Sequence, residues 1–203
     1  MNFIHLLDPE FILTTFGVVG LFAVIFAESG LFFGFFLPGD SLLFTAGFLA
    51  PVLGINIYLL VGGVFVAAVL GDNTGYWFGN KVGDKLFTKN DSLFFKKEYV
   101  LKAHEFFKKH GAKALVLARF IPVVRTFTPI IAGVAKMKYR DFLMWNILGG
   151  FLWGVGVTSA GYFLGRAIPN SEKYLGYIIA VIVLSSFIPV IMEILKGWKK
   201  NNK

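Results

Sequence analysis

Apolar residues run along this chain in long blocks separated by polar, mostly lysine-bearing joints. Six blocks stand out: Phe11 to Ala27, Phe26 to Ala50, Ile55 to Gly79, Ala112 to Ala135, Phe142 to Gly165 and Tyr174 to Leu195. A helix that crosses a bilayer needs about 20 apolar residues, a length the third, fifth and sixth blocks meet. The first is short, and either spans the bilayer or lies on its outer surface. The second is broken at Pro38-Gly39 and carries Glu28 and Asp40, and the fourth carries Arg119, Arg125, Pro122 and Pro129. Charges and helix breakers of this kind do not belong in an ordinary span.

Composition points the same way. Of 203 residues, 56% are hydrophobic and only 16% charged, and the mean hydropathy is +0.69, outside soluble globular usage and within the polytopic membrane class. There is no cysteine, which excludes disulfides and thiolate metal sites. The scattered His5, His104 and His110 have no metal-ligand spacing. The net charge of +8 sits in lysines between the apolar blocks, as in loops that face anionic lipid, and no basic motif for nucleic acid appears. The N-terminal MNFIHLLDPE has no Lys or Arg ahead of the apolar run, so the first block is expected to be retained rather than cleaved as a signal.

The lysines also orient the chain. Nine fall between Lys81 and Lys113, Lys136, Lys138 and Arg140 follow, and the tail adds Lys196, Lys199, Lys200 and Lys203. The positive-inside rule places the central loop, the Lys136 region and the C-terminus in the cytoplasm. Both flanks of Ala112 to Ala135 then lie on one side, so this block is expected to enter the membrane and return. Pro122 and Pro129 favour a bend, since proline removes a backbone donor and clashes with the preceding turn. Phe26 to Ala50 is expected to do the same from the outer side, with Pro38, Gly39 and Asp40 at its tip. Glu98 to Lys113 has a helical pattern and is expected to lie on the inner membrane surface.

A shift of 86 residues superposes Ala46-Gly47 on Ala132-Gly133, Gly63 on Gly149, Gly75-Tyr76 on Gly161-Tyr162 and Gly79 on Gly165, without gaps. One full crossing separates equivalent points, so the two units have opposite orientation, a recurring transporter plan. The expected fold is all-α and integral to the membrane. It has inverted repeats over residues 11–79 and 112–165, each a re-entrant helical hairpin plus a transmembrane helix. A basic cytoplasmic linker with an amphipathic helix covers 80–111, and an additional C-terminal transmembrane helix covers 174–195, all in a single domain.

Glu28 and Asp40 in the first re-entrant segment and Arg119 and Arg125 in the second sum to zero charge. Each costs roughly 2.5–3.5 kcal/mol at a helix centre, so four unpaired charges would cost about 10 kcal/mol or more. They are tolerable when they face one another or a wet cavity, and inverted re-entrant tips meeting near the midplane provide that. Arginine offers a permanently charged fork that matches phosphate bidentately; the acids can exchange protons, which arginine cannot. Ion pairing that merely holds the segments together is the plainer alternative. Asp72 is expected at the cytoplasmic end of a helix, where an acid is ordinarily a capping or interfacial group.

The motifs E-S-G at Glu28, P-G-D at Pro38 to Asp40, G-D-N-T-G-Y-W-F-G at Gly71 to Gly79, R-F-I-P-V-V-R at Arg119 to Arg125, A-G-V-A-K-M at Ala132 to Met137 and F-L-M-W-N-I-L-G-G-F-L-W at Phe142 to Trp153 together resemble the DedA family of membrane proteins, the SNARE-associated Golgi or VTT domain. The resemblance covers nearly the whole chain. It implies that Glu28, Asp40, Arg119 and Arg125 are the functional set, and that the chain moves lipid across the cytoplasmic membrane. The lipid implied is undecaprenyl phosphate, in carrier-lipid recycling, with coupling to the proton gradient in some members. Arg119 and Arg125 would bind the phosphate, and Glu28 and Asp40 would couple protons or pair with them. The implied partners are membrane lipids and a polyprenyl phosphate, with self-association into a homo-oligomer open and no nucleic acid; no cofactor is implied beyond the gradient. The alternatives are a proton-coupled small-solute or ion transporter, a phospholipid scramblase, or a non-transporting scaffold. An enzyme such as a lipid phosphatase ranks last, because the membrane charge set has no nucleophile–base pair and the chain has no phosphate-binding loop for ATP.

Overall fold

The computed structural model describes residues 9–31, 34, 37, 39–86, 107 and 109–168. The expected C-terminal helix over 174–195, almost all of the basic linker beyond residue 86 and Pro38 lie outside the described residues. The rest is helical, with no strand among the described residues.

Helix α1 (Pro9–Gly30) runs the length of the first block and 13 residues of it follow a kink at Gly17. There φ is 61°, a left-handed value that an L side chain rarely adopts. A turn leads to α2 (Gly39–Leu49), whose first turn holds Asp40. Asn56 then starts α3 (Ile57–Leu86), its side-chain oxygen accepting the backbone N–H groups of Tyr58 at 2.9 Å and Leu59 at 3.3 Å, as an N-cap does. After Gly111 come the short α4 (Ala114–Ala118) and α5 (Pro122–Val134). Pro122 opens α5 at a position where a missing N–H is harmless. Helix α6 (Tyr139–Gly150) continues through a π-helical segment (Phe151–Val155) into α7 (Gly156–Ala167).

Three stretches are long and apolar enough to cross a membrane: Phe11–Gly30, Ile57–Val82 and Tyr139–Ala167. The first block is therefore of spanning length. By contrast α2 has 11 residues and α5 has 13, about 17 and 20 Å at 1.5 Å per residue, well short of a hydrocarbon layer about 30 Å thick. Large apolar side chains on the long helices point outward, among them Tyr58, Val66, Leu70 and Phe163, as a lipid environment permits.

Inside, Leu21 and Ile25 of α1, Leu42 and Leu43 of α2, Leu60, Val64 and Ala68 of α3 and Trp153 form one apolar cluster. Tyr76, Leu115, Ala132 and Phe142 form a second, with the Tyr76 and Phe142 rings stacked at 4.3 Å. Two backbone-close crossings bind the layers. Helix α2 meets α7 where a Cβ on Gly47 would strike Thr158 O and one on Gly161 would strike Phe44 O. Helix α5 meets α3 where a Cβ on Gly133 would strike Tyr76 O and one on Gly79 would strike Ile130 O. The 86-residue shift carries Gly47 onto Gly133 and Gly79 onto Gly165, which lies against Phe48 O in the first crossing. Small residues at such contacts let helices approach where no hydrophobic effect drives them together.

Candidate functional site: two buried arginine clusters

The ends of the short helices converge. Glu28 is in the last turn of α1, Asp40 in the first turn of α2, and Arg125 in the first turn of α5. Arg125 reaches both acids: one guanidinium nitrogen donates to Asp40 Oδ1 at 2.5 Å and the other to Glu28 Oε1. Trp153 completes the cluster. The π segment, whose wider turn re-aims side chains within a helix, carries this residue inward to 1% exposure. Its Nε1 donates to Asp40 Oδ1 at 2.7 Å, and its ring lies under the Arg125 guanidinium with 4.5 Å between centres, a cation–π contact. Gly39 packs against Glu28 so closely that a Cβ there would overlap the carboxylate.

Arg119 lies in the break between α4 and α5 and takes different partners. Its guanidinium donates to Asp72 Oδ2 of α3 and, at 2.5 Å, to Asn146 Oδ1 of α6. Asn146 Nδ2 donates in turn to Val69 O at 3.1 Å. Gly149 leaves room for the arginine stem, since a Cβ on it would lie 2.8 Å from Arg119 Cδ. The geometry thus brings Glu28, Asp40 and Arg125 together and separates Arg119 into a second cluster with Asp72. Spacing along the chain pairs the two arginines with the two acids of the other repeat; the fold instead places Asp72, at mid-length in α3, within reach of Arg119.

Glu28, Asp72, Arg119 and Arg125 are buried, and Asp40 is partly buried, with a quarter of its side chain exposed. Three carboxylates face two guanidinium groups, which leaves one formal negative charge in the set. Glu28 Oε2 and Arg125 Nε have no hydrogen-bond partner among the described residues. Buried polar atoms are normally paired, so the Arg125 cluster retains one acceptor and one donor with which to meet another group. Breaking a buried ion pair by removing one partner costs about 3–5 kcal/mol, so the clusters also tie α1, α2, α3, α5 and α6 together.

The prolines sit differently from one another. Pro122 marks the break at Arg119 to Ile121, whereas α5 continues through Pro129. Lacking an N–H, Pro129 cannot bond the carbonyl of Arg125 one turn earlier. No group of three His, Asp or Glu residues able to hold a metal occurs among the described residues. Asp72, Asn146 and Trp153 are the site residues that spacing alone does not single out. For Asp72 there is a signal: it is the one acid between Ile57 and Asn80, and a charge within a spanning helix demands a partner.

The VTT domain family model matches residues 37–163, more than half of the chain. The chain belongs to the DedA family of VTT-domain membrane proteins. It is 43% identical to Protein DedA of Escherichia coli over 178 residues, covering 87% of this chain and 81% of that protein. An uncharacterized membrane protein of Mycobacterium leprae is 45% identical over 206 residues, 97% of this chain and 90% of its own length. Inner membrane protein YqjA of Escherichia coli is 35% identical over 187 residues, 89% and 83% of the two chains. No solved structure matches. In this DedA-family protein the two arginine clusters fall within the matched domain, apart from Glu28, which precedes it.

Proposed function

We propose that this protein is a lipid translocase, which moves a phosphate-bearing lipid, undecaprenyl phosphate, from the outer to the inner leaflet of the cytoplasmic membrane. The observation that carries the reading is Arg125, a buried fork shared between Glu28 and Asp40 while its own Nε and one oxygen of Glu28 have no partner among the described residues. Two oxygens of a phosphate can accept the guanidinium N–H groups that the two carboxylates now hold, so a phosphate competes with them for the arginine. Protonation of either acid weakens its hold on Arg125 and favours the phosphate, which links lipid binding to the proton gradient. Arg119 plays the matching part in the second cluster, with Asp72 as the competitor.

In this reading the two halves are inverted repeats, and α1–α2 and α4–α5 are re-entrant hairpins whose tips meet. The shortness of α2 and α5, the contact of Arg125 with Glu28 and Asp40, and the equivalent glycine crossings 86 residues apart support it. Tips that meet at mid-depth shorten the apolar barrier, so the head group crosses along polar side chains while its tail stays in lipid. The basic end of α3 and the Lys136 to Arg140 turn face the cytoplasm by the positive-inside rule.

The test is transbilayer movement in proteoliposomes carrying a fluorescent polyprenyl phosphate, scored by protection from an impermeant quencher. Wild-type protein is expected to accelerate movement, and Arg125→Ala and Asp40→Ala to abolish it. Undiminished movement with either variant would refute the reading. A cation flux that follows the pH gradient without lipid movement would favour an ion transporter.

A further inference from the structure

An open cleft of about 570 Å³ lies along α3 between α1 and α6. Its apolar walls are Phe26, Leu70 and Trp77, and its polar wall is Asn73, Thr74 and Tyr139. Leu70, Asn73, Thr74 and Trp77 recur at the i, i+3, i+4, i+7 spacing of one helix face. Lys81 continues that face one turn further, its Nζ 4.0 Å over the Trp77 ring. All of these α3 positions fall within Ile57–Val82, the part of α3 long and apolar enough to span a membrane, and Leu70 and Trp77 are each more than half exposed. The cleft therefore opens toward lipid.

Positive charge predominates at this end. Lys81 and Lys85 of α3 and Lys136, Lys138 and Arg140 after α5 outnumber Asp84 and Asp141, five bases to two acids, and Lys136 Nζ donates to Asn80 O at 2.6 Å. Its polar wall also leads inward. Tyr139 donates its hydroxyl proton to Asn73 Oδ1 at 2.9 Å, and Asn73 Nδ2 donates to Val69 O at 2.7 Å. That carbonyl accepts Asn146 Nδ2 as well, and Asn146 Oδ1 accepts from Arg119. A continuous hydrogen-bonded path thus joins the cleft to the Arg119–Asp72 pair.

We propose that this cleft seats the apolar chain of the transported lipid in the leaflet at the basic end of α3, and that Asn73 and Tyr139 pass its phosphate between Lys81 and Arg119. The inference rests on the lipid-translocation reading and identifies where the lipid enters or leaves. An apolar chain fits walls of Phe26, Leu70 and Trp77, and an anionic head fits the basic rim. Tyr139 Oη and Asn73 Nδ2 are both donors, and phosphate, an acceptor on every oxygen, can take either proton in place of its present partner.

The full chain in phosphatidylcholine–phosphatidylglycerol vesicles would be photolabelled with a polyprenyl phosphate bearing a diazirine in its chain, and the adducts mapped by mass spectrometry. Labelling is expected to be several-fold higher at Phe26, Leu70 and Trp77 than at Tyr58, Val66 and Phe163, which are also exposed on long helices. It should fall several-fold with the matching polyprenol, which lacks the phosphate, and in T74W, which fills the cleft. Lys81→Glu, a change on the rim, serves as a second variant with the same expected loss. Labelling spread evenly over exposed residues, or indifferent to the phosphate, would overturn the inference. Transport assayed on the same vesicles separates the two ideas. Uniform labelling with transport intact removes the cleft and leaves the translocase. Selective labelling without transport keeps the cleft as a lipid-phosphate site and removes the translocase.

Discussion

Replacement of Asp72 by alanine would leave Arg119 charged, buried and held by Asn146 alone. Arg119 is 4% exposed and Asp72 6%, so solvent screens the pair little. Loss of one partner from a buried ion pair costs about 3–5 kcal/mol, whereas apolar replacement of both is often neutral or stabilising. Asp72→Ala is therefore expected to lower stability by about 3–5 kcal/mol. In a chain of this size each kcal/mol moves Tm by about 2–4 °C, so the expected fall is on the order of 10 °C. Thermal unfolding in detergent, followed by intrinsic fluorescence, measures it. The double variant Asp72→Leu/Arg119→Met should recover most of the loss, and the double-mutant cycle gives the coupling between the two positions. Asp72→Ala protein as stable as wild type would refute the pairing. The double variant also separates structure from transport. If it is stable and inactive in the vesicle assay, Arg119 handles substrate; if it is stable and moves lipid at the wild-type rate, Arg119 only holds the fold.

Two further outcomes follow from the geometry. Arg125→Lys keeps the charge but loses the fork that reaches Glu28 and Asp40 together. Loss of one charge-assisted hydrogen bond, about 1.5–3 kcal/mol, corresponds to at least a tenfold fall in the initial rate of lipid movement, and a wild-type rate would count against bidentate use of Arg125. Gly161→Val would drive a side chain into the Phe44 carbonyl at the α2–α7 crossing. Overpacking of this kind costs about 1–3 kcal/mol or more, visible as a lower Tm, and an unchanged Tm would show that the crossing is looser than its backbone contacts indicate.

Much of the architecture is legible along the chain, because lipid imposes a simple rule: a segment that spans must be apolar for about 20 residues. That rule locates the helices around Ile57–Val82 and Tyr139–Ala167, whereas the role of Gly47 and Gly133, equivalent in the 86-residue register, at helix crossings emerges only from the packing. The cost of charge in hydrocarbon likewise marks Glu28, Asp40, Arg119 and Arg125 as groups that need partners. Which partner each takes is a matter of three-dimensional placement. Arg125 bonds Glu28 and Asp40 because the ends of α1, α2 and α5 converge, and Arg119 bonds Asp72 because the break before Pro122 lies beside the middle of α3. Trp153 enters the first cluster through a π turn that leaves no mark in the apolar pattern, and Asn146 joins the second as a neutral residue that no charge rule flags. Hydropathy and charge are properties of each residue and survive in the sequence, whereas an ion pair between positions 47 or 97 residues apart exists only after helix packing has set the distance between them.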